Sequence, residues 1–191
     1  MSPTLAPDAI WRQRREKRIG LNRAAPGETL TVNMSGTPSL QERFAPRSIC
    51  FGCGVANPDG LRIRSLEAPD GQSLICDWQP APMHRAYEGI LNGGIIGTLL
   101  DCHSNWTAAW HIMKANGRDK PNVCVTAEFA VKLRRPTPVD GPVHIRAWLE
   151  SALADRAVVL AELTANEKVT ASCRGTFVAV RPDHPAFHQW S

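Results

Sequence analysis

At the centre of the chain stands Gly89-Ile90-Leu91-Asn92-Gly93-Gly94-Ile95-Ile96-Gly97-Thr98-Leu99-Leu100-Asp101, the stretch that decides the fold. It holds the longest apolar run, and from Gly93 onward apolar residues recur at the i, i+3, i+4, i+7 spacing of a helix. The residues that follow this spacing are Ile95, Ile96, Leu99, Leu100, Cys102, Trp106, Ala109, Trp110 and Met113. The pattern predicts one helix over Gly93–Met113, ended by the pair Asn116-Gly117.

Strand-like segments flank this helix on both sides. Leu61–Ala68 and Gln72–Trp78 precede it and are joined by Pro69-Asp70-Gly71, a typical hairpin turn. The segments that follow the helix alternate apolar and polar residues and are Asn122–Arg134, Pro142–Ala152, Ala157–Ala165 and Lys168–Arg181. The order β-β-α-β-β-β-β provides too few strands to cover the helix twice. We therefore predict an α+β fold in which a curved antiparallel sheet wraps around one long central helix.

The composition is that of an ordinary globular protein. The 191 residues are 43% hydrophobic and 21% charged, which suits one domain with a sizeable core. The apolar run is shorter than the ~20 residues that span a bilayer, and no apolar segment follows the basic N-terminal residues. We expect a cytoplasmic protein that does not bind membranes, and its six cysteines are expected to be mostly small buried thiols rather than disulfides.

The chain divides into three parts of unequal length. Residues 1–35 are a basic extension that we expect to be disordered, although an arm that docks on an anionic surface is the alternative. Met34 is a candidate for the natural start. Residues 36–183 form the predicted domain, and residues 184–191 form a tail. Much of the net charge of +4 lies in the extension, so the charge balance does not indicate a nucleic-acid partner.

The start of the central helix has the chemistry of an anion site. The paired glycines Gly93 and Gly94 allow a ligand to approach the backbone, and the free N–H groups of a first helical turn favour negative charge. An oxyanion of a tetrahedral intermediate would suit this position. Two turns later, Asp101 interrupts an apolar face, where a carboxylate is costly unless it is used or paired. The alternatives are tight helix–sheet packing for the glycines and a solvated position for Asp101.

The spacing of these two features has a geometric consequence. Gly93 and Asp101 are eight residues apart, which on one helix is about 12 Å along the axis. One carbonyl group cannot contact both of them within a single chain. If both act on the same carbon, they must come from different chains, and the sequence then predicts a dimer with two symmetric sites at its interface.

At this point the residues carry a resemblance to a known family. Asn92-Gly93-Gly94, with Asp101 nine positions after the asparagine, resembles the His-Gly-Gly…Asp signature of hotdog acyl-CoA thioesterases of the phenylacetate-degradation type. Three further motifs agree in order along residues 50–180. They are Cys50-Phe51-Gly52-Cys53-Gly54 followed by Asn57-Pro58-Asp59-Gly60-Leu61, Pro82-Met83-His84 through Gly89-Ile90, and Val125-Thr126-Ala127-Glu128-Phe129 through Arg134-Arg135-Pro136.

The resemblance implies a fold, a reaction and a partner. It implies the hotdog fold and hydrolysis of an acyl-CoA to free acid and CoA, by a homodimer or a dimer of dimers, with no cofactor apart from the CoA of the substrate. Asp101 would be the nucleophile or the general base that activates water. The Gly93 amide would polarise the thioester carbonyl with possible help from Gly94, and Thr126 would position the water or the carboxylate.

Further residues are implied as substrate contacts, each with a structural alternative. Arg134 and Arg135 would meet the CoA phosphates, or else form a solvated strand end. His84 would cap the acyl pocket, or else satisfy a loop carbonyl. Trp106, four residues before Trp110, would be a wall of the acyl pocket or part of the core.

One departure affects the predicted site. Asn92 stands where the family usually has histidine, and an amide cannot shuttle protons near neutral pH. A non-catalytic acyl-CoA binding module is therefore one rival function. A hotdog enoyl-CoA hydratase or dehydratase is the other, although such enzymes usually need a histidine with a carboxylate as their acid/base pair, and the signature histidine is missing here. Cys50-x-x-Cys53 resembles half of a zinc site, but no second Cys/His pair has matching spacing, so we expect no metal. His103 lies on a different helical face from Asp101, which favours a packing role.

Overall fold

The computed structural model describes residues 36–188 and 190. The predictions for residues 1–35, including the start at Met34, lie outside these residues. The described chain has two helices and eight strands. They are α1 (Leu40–Phe44), β1 (Leu66–Glu67), β2 (Ser73–Trp78), β3 (Arg85–Tyr87), β4 (Ile90–Leu91), α2 (Gly93–Ala115), β5 (Cys124–Leu133), β6 (Val143–Ala152), β7 (Arg156–Ala165) and β8 (Lys168–Ala179).

Six strands form one curved antiparallel sheet in the order β1-β2-β6-β7-β8-β5, and β3 pairs with β4 separately. The helix α2 packs against β2, β5, β6, β7 and β8. The predicted α+β fold, with one long helix against a curved antiparallel sheet, is therefore confirmed. The helix also begins at Gly93 as predicted, because the Asn92 side chain caps it.

The core lies between α2 and the concave face of the sheet. Leu99, Leu100, Trp106 and Trp110 of the helix are at most 2% exposed. They belong to one cluster with alternate residues of the strands, which include Val143, Ile145, Ala147, Val159, Leu163 and Phe177. Burial of each large side chain contributes about 1.5–3 kcal/mol to stability, so this face holds α2 in place. The side of α2 that carries Asp101 and Cys102 is only partly covered.

The first predicted strand is much shorter than its apolar pattern indicated. Only Leu66–Glu67 pair with β2, because the backbone N–H groups before them donate to loop carbonyls instead of to a strand. The N–H of Leu61 donates to the Phe51 carbonyl at 2.7 Å, and the N–H of Ile63 donates to the Gly52 carbonyl at 3.1 Å. Arg62 between them has a φ of 50°, which breaks an extended run. The prediction of a strand over Leu61–Ala68 was therefore wrong except for Leu66–Glu67.

Four small elements were not predicted. The helix α1 is held by a reciprocal capping box between Ser39 and Glu42, a signal that the sequence does contain. The other three are a 3₁₀ turn at Pro82–His84 and the paired strands β3 and β4. The 3₁₀ turn lies next to the start of α2, since the Asn92 N–H donates to the His84 carbonyl at 2.9 Å.

Candidate active site

The carboxylate of Asp101 is held by a hydroxyl group from the sheet. Thr126 of β5 donates from Oγ1 to Asp101 Oδ1 at 2.8 Å, so the structure brings together two residues that lie 25 positions apart. Burial, the strongest influence on the pKa of Asp101, raises it, and the hydrogen bond from Thr126 opposes that rise. The result is an oriented, half-buried carboxylate that has one oxygen engaged by protein and the other available to a water molecule or an acyl carbon.

In the first turn of α2, one backbone N–H has no hydrogen-bond acceptor among the described residues. Asn92 Oδ1 accepts from the N–H of Gly94 at 2.7 Å and from that of Ile95 at 3.3 Å, and the Asn92 carbonyl accepts from Ile96. Within residues 36–188 the N–H of Gly93 has no such acceptor. An anion at this helix end would therefore meet the Gly93 amide, while the Gly94 amide is already engaged by the cap.

A cavity of about 360 Å³ opens beside Gly93. Apolar side chains that include Tyr87, Ile96 and Leu133 line it, together with Arg134 and Arg135 at one side. Arg134 is partly fixed, because its Nε donates to Ser172 Oγ at 3.1 Å. Apolar walls with a few charged groups are typical of small-molecule pockets of this size. The two guanidinium groups are the positive charges among the residues that line the cavity.

Two of the residues proposed from the sequence lie elsewhere. The ring of His84 accepts from the Ala81 N–H through Nδ1 at 2.9 Å and packs on Trp78, with ring centroids 4.9 Å apart. The His84 ring therefore accepts a hydrogen bond from its own loop and does not line the cavity. Trp106 is 1% exposed and stacks on Trp190 at 4.1 Å, so it lies in the core and not in the cavity wall.

His103 is fully buried and belongs to a polar network under the sheet. Its Nδ1 lies 2.9 Å from Ser65 Oγ, and its Nε2 lies 3.2 Å from the Leu74 carbonyl. Gln41 extends the network by donating to the same Ser65 hydroxyl. Burial lowers the pKa of His103 to about 4, so the ring is neutral at pH 7. The side chain has structural partners and faces away from Asp101.

A group of three thiols, missed at the level of sequence, lies next to Asp101. The Sγ atoms of Cys50, Cys53 and Cys102 lie within 4.8 Å of one another and are the group among the described residues that could hold a metal ion. The hydrogen bond between the Cys50 and Cys102 thiols lowers the pKa of Cys50 and raises the pKa of Cys102. Sequence spacing did not reveal the group, because its third member comes from α2 and not from a second Cys-x-x-Cys pair.

Solved structures share this architecture. A thioesterase superfamily protein of Shewanella loihica PV-4 matches with a TM-score of 0.54 and 23% identity, over 66% of this chain and 97% of its own. A phenylacetic acid degradation-related protein of Ralstonia eutropha JMP134 matches with a TM-score of 0.52 and 21% identity, over 62% of this chain and 86% of its own. A Bacillus halodurans protein solved with CoA matches with a TM-score of 0.52 and 21% identity, over 63% of this chain and 76% of its own.

The fold is therefore the hotdog fold of thioesterase superfamily proteins, as the sequence resemblance implied. One of the similar structures comes from a phenylacetic acid degradation-related protein, and another holds CoA. No protein-family model and no curated protein matches the sequence. Neither helix of the described residues is long and apolar enough to cross a membrane.

Proposed function

We propose that the protein is an acyl-CoA thioesterase that hydrolyses an acyl-CoA to a free carboxylic acid and CoA. The observation that carries the proposal is the half-buried Asp101 carboxylate, oriented by Thr126 on the central helix of this fold. Carboxylates of this kind are suited to activate water or to attack an acyl carbon. The CoA bound to a protein of the same fold supports the substrate class, and a cytoplasmic location is part of the proposal.

The reaction needs one proton acceptor and one oxyanion donor. With Asp101 as general base, the carboxylate takes a proton from water while the water oxygen bonds to the thioester carbon. The Gly93 N–H donates to the oxyanion, the C–S bond breaks as the intermediate collapses, and the leaving CoA sulfur takes the proton from Asp101. With Asp101 as nucleophile, a carboxylate oxygen bonds to the thioester carbon as the C–S bond breaks, which gives an acyl-aspartyl anhydride and the CoA thiolate. Water then hydrolyses the anhydride to the free acid and the Asp101 carboxylate, and the proton released by the acid goes to the CoA thiolate.

The two groups are best supplied by two protomers. Gly93 and Asp101 lie two turns apart on one straight helix, about 12 Å along the axis, so one chain cannot present both to one carbon. The strand β5, which carries Thr126, is a ten-residue edge of the sheet, and most of its residues are exposed. A long exposed edge is normally covered by another element or chain. A homodimer, or a dimer of dimers, would cover it and complete two equal sites.

The cavity beside Gly93 provides the binding contacts of the proposed site. Its apolar walls accept the chain of the substrate, and Arg134 and Arg135 face the CoA phosphates. Asn92 acts here through the helix cap, which fixes the direction of the Gly93 N–H, and not as a proton shuttle.

A substrate panel tests this function directly. Purified protein is mixed with aliphatic and aromatic acyl-CoAs, and a dithiol reagent reports the released CoA thiol. We expect turnover that Asp101→Asn lowers by about 100-fold or more, because one carboxylate carries the attack. The matched control is Asp119→Asn, which neutralises an exposed carboxylate beyond the end of α2 and should leave the rate unchanged.

Other outcomes of the same assay would support the rival functions. Loss of enoyl absorbance without thiol release would indicate a hydratase. A rise in melting temperature with acyl-CoA, without any change of the ligand, would indicate a binding module. If Asp101→Asn kept more than half of the wild-type turnover, Asp101 would have no place in the mechanism.

A further inference from the structure

The three thiols of the Cys50, Cys53 and Cys102 cluster come from two elements that meet beside Asp101. Cys50 and Cys53 lie in the loop before β1, and Cys102 lies on α2. Cys50 Sγ lies 3.9 Å from Cys102 Sγ, and all three sulfur atoms lie within 4.8 Å of one another. Cys50 is exposed and Cys53 is buried, so the cluster has one open and one closed side.

The loop is shaped so that its sulfur atoms converge on the helix. The Gly54 N–H donates to the Cys50 carbonyl at 2.8 Å, which closes a tight turn around both cysteines. A Cβ on Gly52 would collide with Cys102 Sγ, and a Cβ on Gly54 would lie 2.5 Å from the Cys50 nitrogen. Glycine at these two positions therefore allows the close approach.

A second feature is a buried N–H donor beside the cluster. Trp106 is 1% exposed, and its Nε1 is the buried side-chain N or O atom of the described residues without a hydrogen-bond partner. Cys102 and the Trp106 indole act to lower the pKa of the Cys53 thiol, but Cys50 and burial raise it overall, so Cys53 is a neutral thiol without a metal ion. A buried N–H without an acceptor costs about 1–3 kcal/mol. A thiolate at Cys53 would provide that acceptor, and N–H donors around bound sulfur are typical of the outer shell of metal–thiolate sites.

We propose that Cys50, Cys53 and Cys102 form a three-thiolate site for a soft metal ion, zinc(II) or copper(I). A Zn–S bond of about 2.3 Å in tetrahedral geometry places two sulfur atoms about 3.8 Å apart, close to the 3.9 Å between Cys50 and Cys102. Thiolate ligands select these two ions. Copper(I) is satisfied by three thiolates, and zinc(II) takes a water molecule as its fourth ligand on the exposed side of Cys50.

The site would fasten the loop to the helix and does not depend on thioesterase activity. Each ion that binds displaces the thiol protons to solvent, and it replaces the weak Cys50–Cys102 hydrogen bond between the loop and α2 with metal–sulfur bonds. Binding to the folded state alone raises the melting temperature. The expectation of no metal rested on a search for a second Cys/His pair with regular spacing, whereas here the third ligand comes from α2.

The test is metal binding by the full chain after reduction with a phosphine in the absence of oxygen. Zinc(II) and copper(I) are titrated separately against a chromophoric competitor for each ion. We expect one equivalent of at least one ion per chain, a dissociation constant below about 1 µM and a higher melting temperature. The relative affinities identify the ion.

Single-residue variants then show which side chains hold the metal ion. Cys50→Ser changes an exposed residue, so the fold should persist by circular dichroism while binding weakens at least about 100-fold. Trp106→Phe keeps the aromatic packing but removes the N–H, and should weaken binding about 10-fold. Cys124→Ser, at a buried thiol outside the cluster, is the matched control and should bind as wild type does.

Three results would overturn the proposal. The first is reduced wild-type protein that takes up less than one equivalent of both ions. The second is a folded Cys50→Ser variant that binds as tightly as wild type. The third is a purified protein with a Cys50–Cys53 disulfide that, once reduced, binds neither ion.

Discussion

At the scale of single residues, the candidate site depends on two side chains that orient other groups. Thr126 aims the Asp101 carboxylate through a hydrogen bond of 2.8 Å, and Asn92 caps α2 through Gly94 and Ile95. Neither residue supplies a base of its own. Both act by removing conformational freedom from a group that would otherwise sample several orientations, which is the usual means of preorganising a site.

Thr126→Val tests the first of these roles. Valine keeps the shape but removes the hydroxyl, and a hydrogen bond to a charged group contributes about 1.5–3 kcal/mol. We expect kcat to fall roughly 10-fold to 100-fold with little change in melting temperature. Thr126→Ser, which retains the hydroxyl, should restore most of the rate in steady-state assays. Equal rates for the valine and wild-type proteins would show that Asp101 is oriented by other contacts.

The Asp70 carboxylate, which lies in the turn before β2, is expected to make the stability of the protein depend on pH. Burial opposes ionisation, but hydrogen bonds from the Gln72 and Ser73 N–H groups, the Ser73 hydroxyl and Arg146 lower the pKa of Asp70 to about 2. The unfolded pKa is about 3.9. The folded pKa is the lower one, so the stabilisation is fully present above about pH 4 and is lost as pH falls towards 2.

Asp70→Asn should therefore destabilise the protein at pH 7, and the difference from wild type should shrink as the pH falls from 4 to 2. Urea unfolding at several pH values measures this difference, with Asp119→Asn as the control for a general charge effect. A difference that stays constant over this range would show that the ionisation of Asp70 does not contribute to the stability of the turn.

At the scale of elements, the two-residue connection between β7 and β8 carries strain. Asn166 and Glu167 have φ values of 46° and 61°, both in the left-handed region, as a tight hairpin of the primed type requires. Asparagine tolerates this region, but glutamate does so at a cost. Ala165 pairs with Lys168 directly across the turn, so the strands leave no room for another conformation.

Glu167→Gly should therefore stabilise the protein by about 0.5–1 kcal/mol, since glycine adopts a positive φ without steric cost and loses part of that gain to chain entropy. Thermal and urea unfolding measure the change. Lys168→Gly, one residue later and inside β8, should destabilise instead. A loss of stability in Glu167→Gly would show that the glutamate side chain contributes more than its backbone strain costs.

At the scale of the whole molecule, the proposed site is shared between protomers, and mixing two inactive variants tests this. Asp101→Asn removes the carboxylate, and Gly93→Pro removes the amide at the first helical position, where proline is tolerated. Each homodimer should be nearly inactive. A purified heterodimer has one site with both defects and one with neither, so it should recover about half of the wild-type activity.

The control for this experiment is the folded state of each homodimer by circular dichroism. If the amide and the carboxylate served one site within a single chain, every site of the heterodimer would carry a defect. Folded heterodimer without recovered activity would therefore reject the shared site, while the substrate panel would still test the thioesterase function on wild-type protein.

The sequence by itself determined the elements that have a regular period. The helix from Gly93 and the four strands after it follow from apolar spacing, and α2, β7 and β8 bury one face along most of their length. The strand β5 keeps the alternating pattern although most of its residues are exposed. The prediction was wrong for Leu61–Ile63, where the backbone hydrogen bonds go to a loop and not to a neighbouring strand. Periodicity reports which residues are buried, but it does not report which partner their N–H groups find.

Only the tertiary structure decided which side chains meet. The local sequence around Asp101 shows a carboxylate on an apolar helix, whereas its contact with Thr126 depends on how β5 packs against that helix. Cys102 likewise has no Cys-x-x-Cys neighbour in the sequence, and it joins Cys50 and Cys53 because glycines bring their loop onto α2. Contacts between distant residues depend on the packing of whole elements, and local spacing carries no information about that packing.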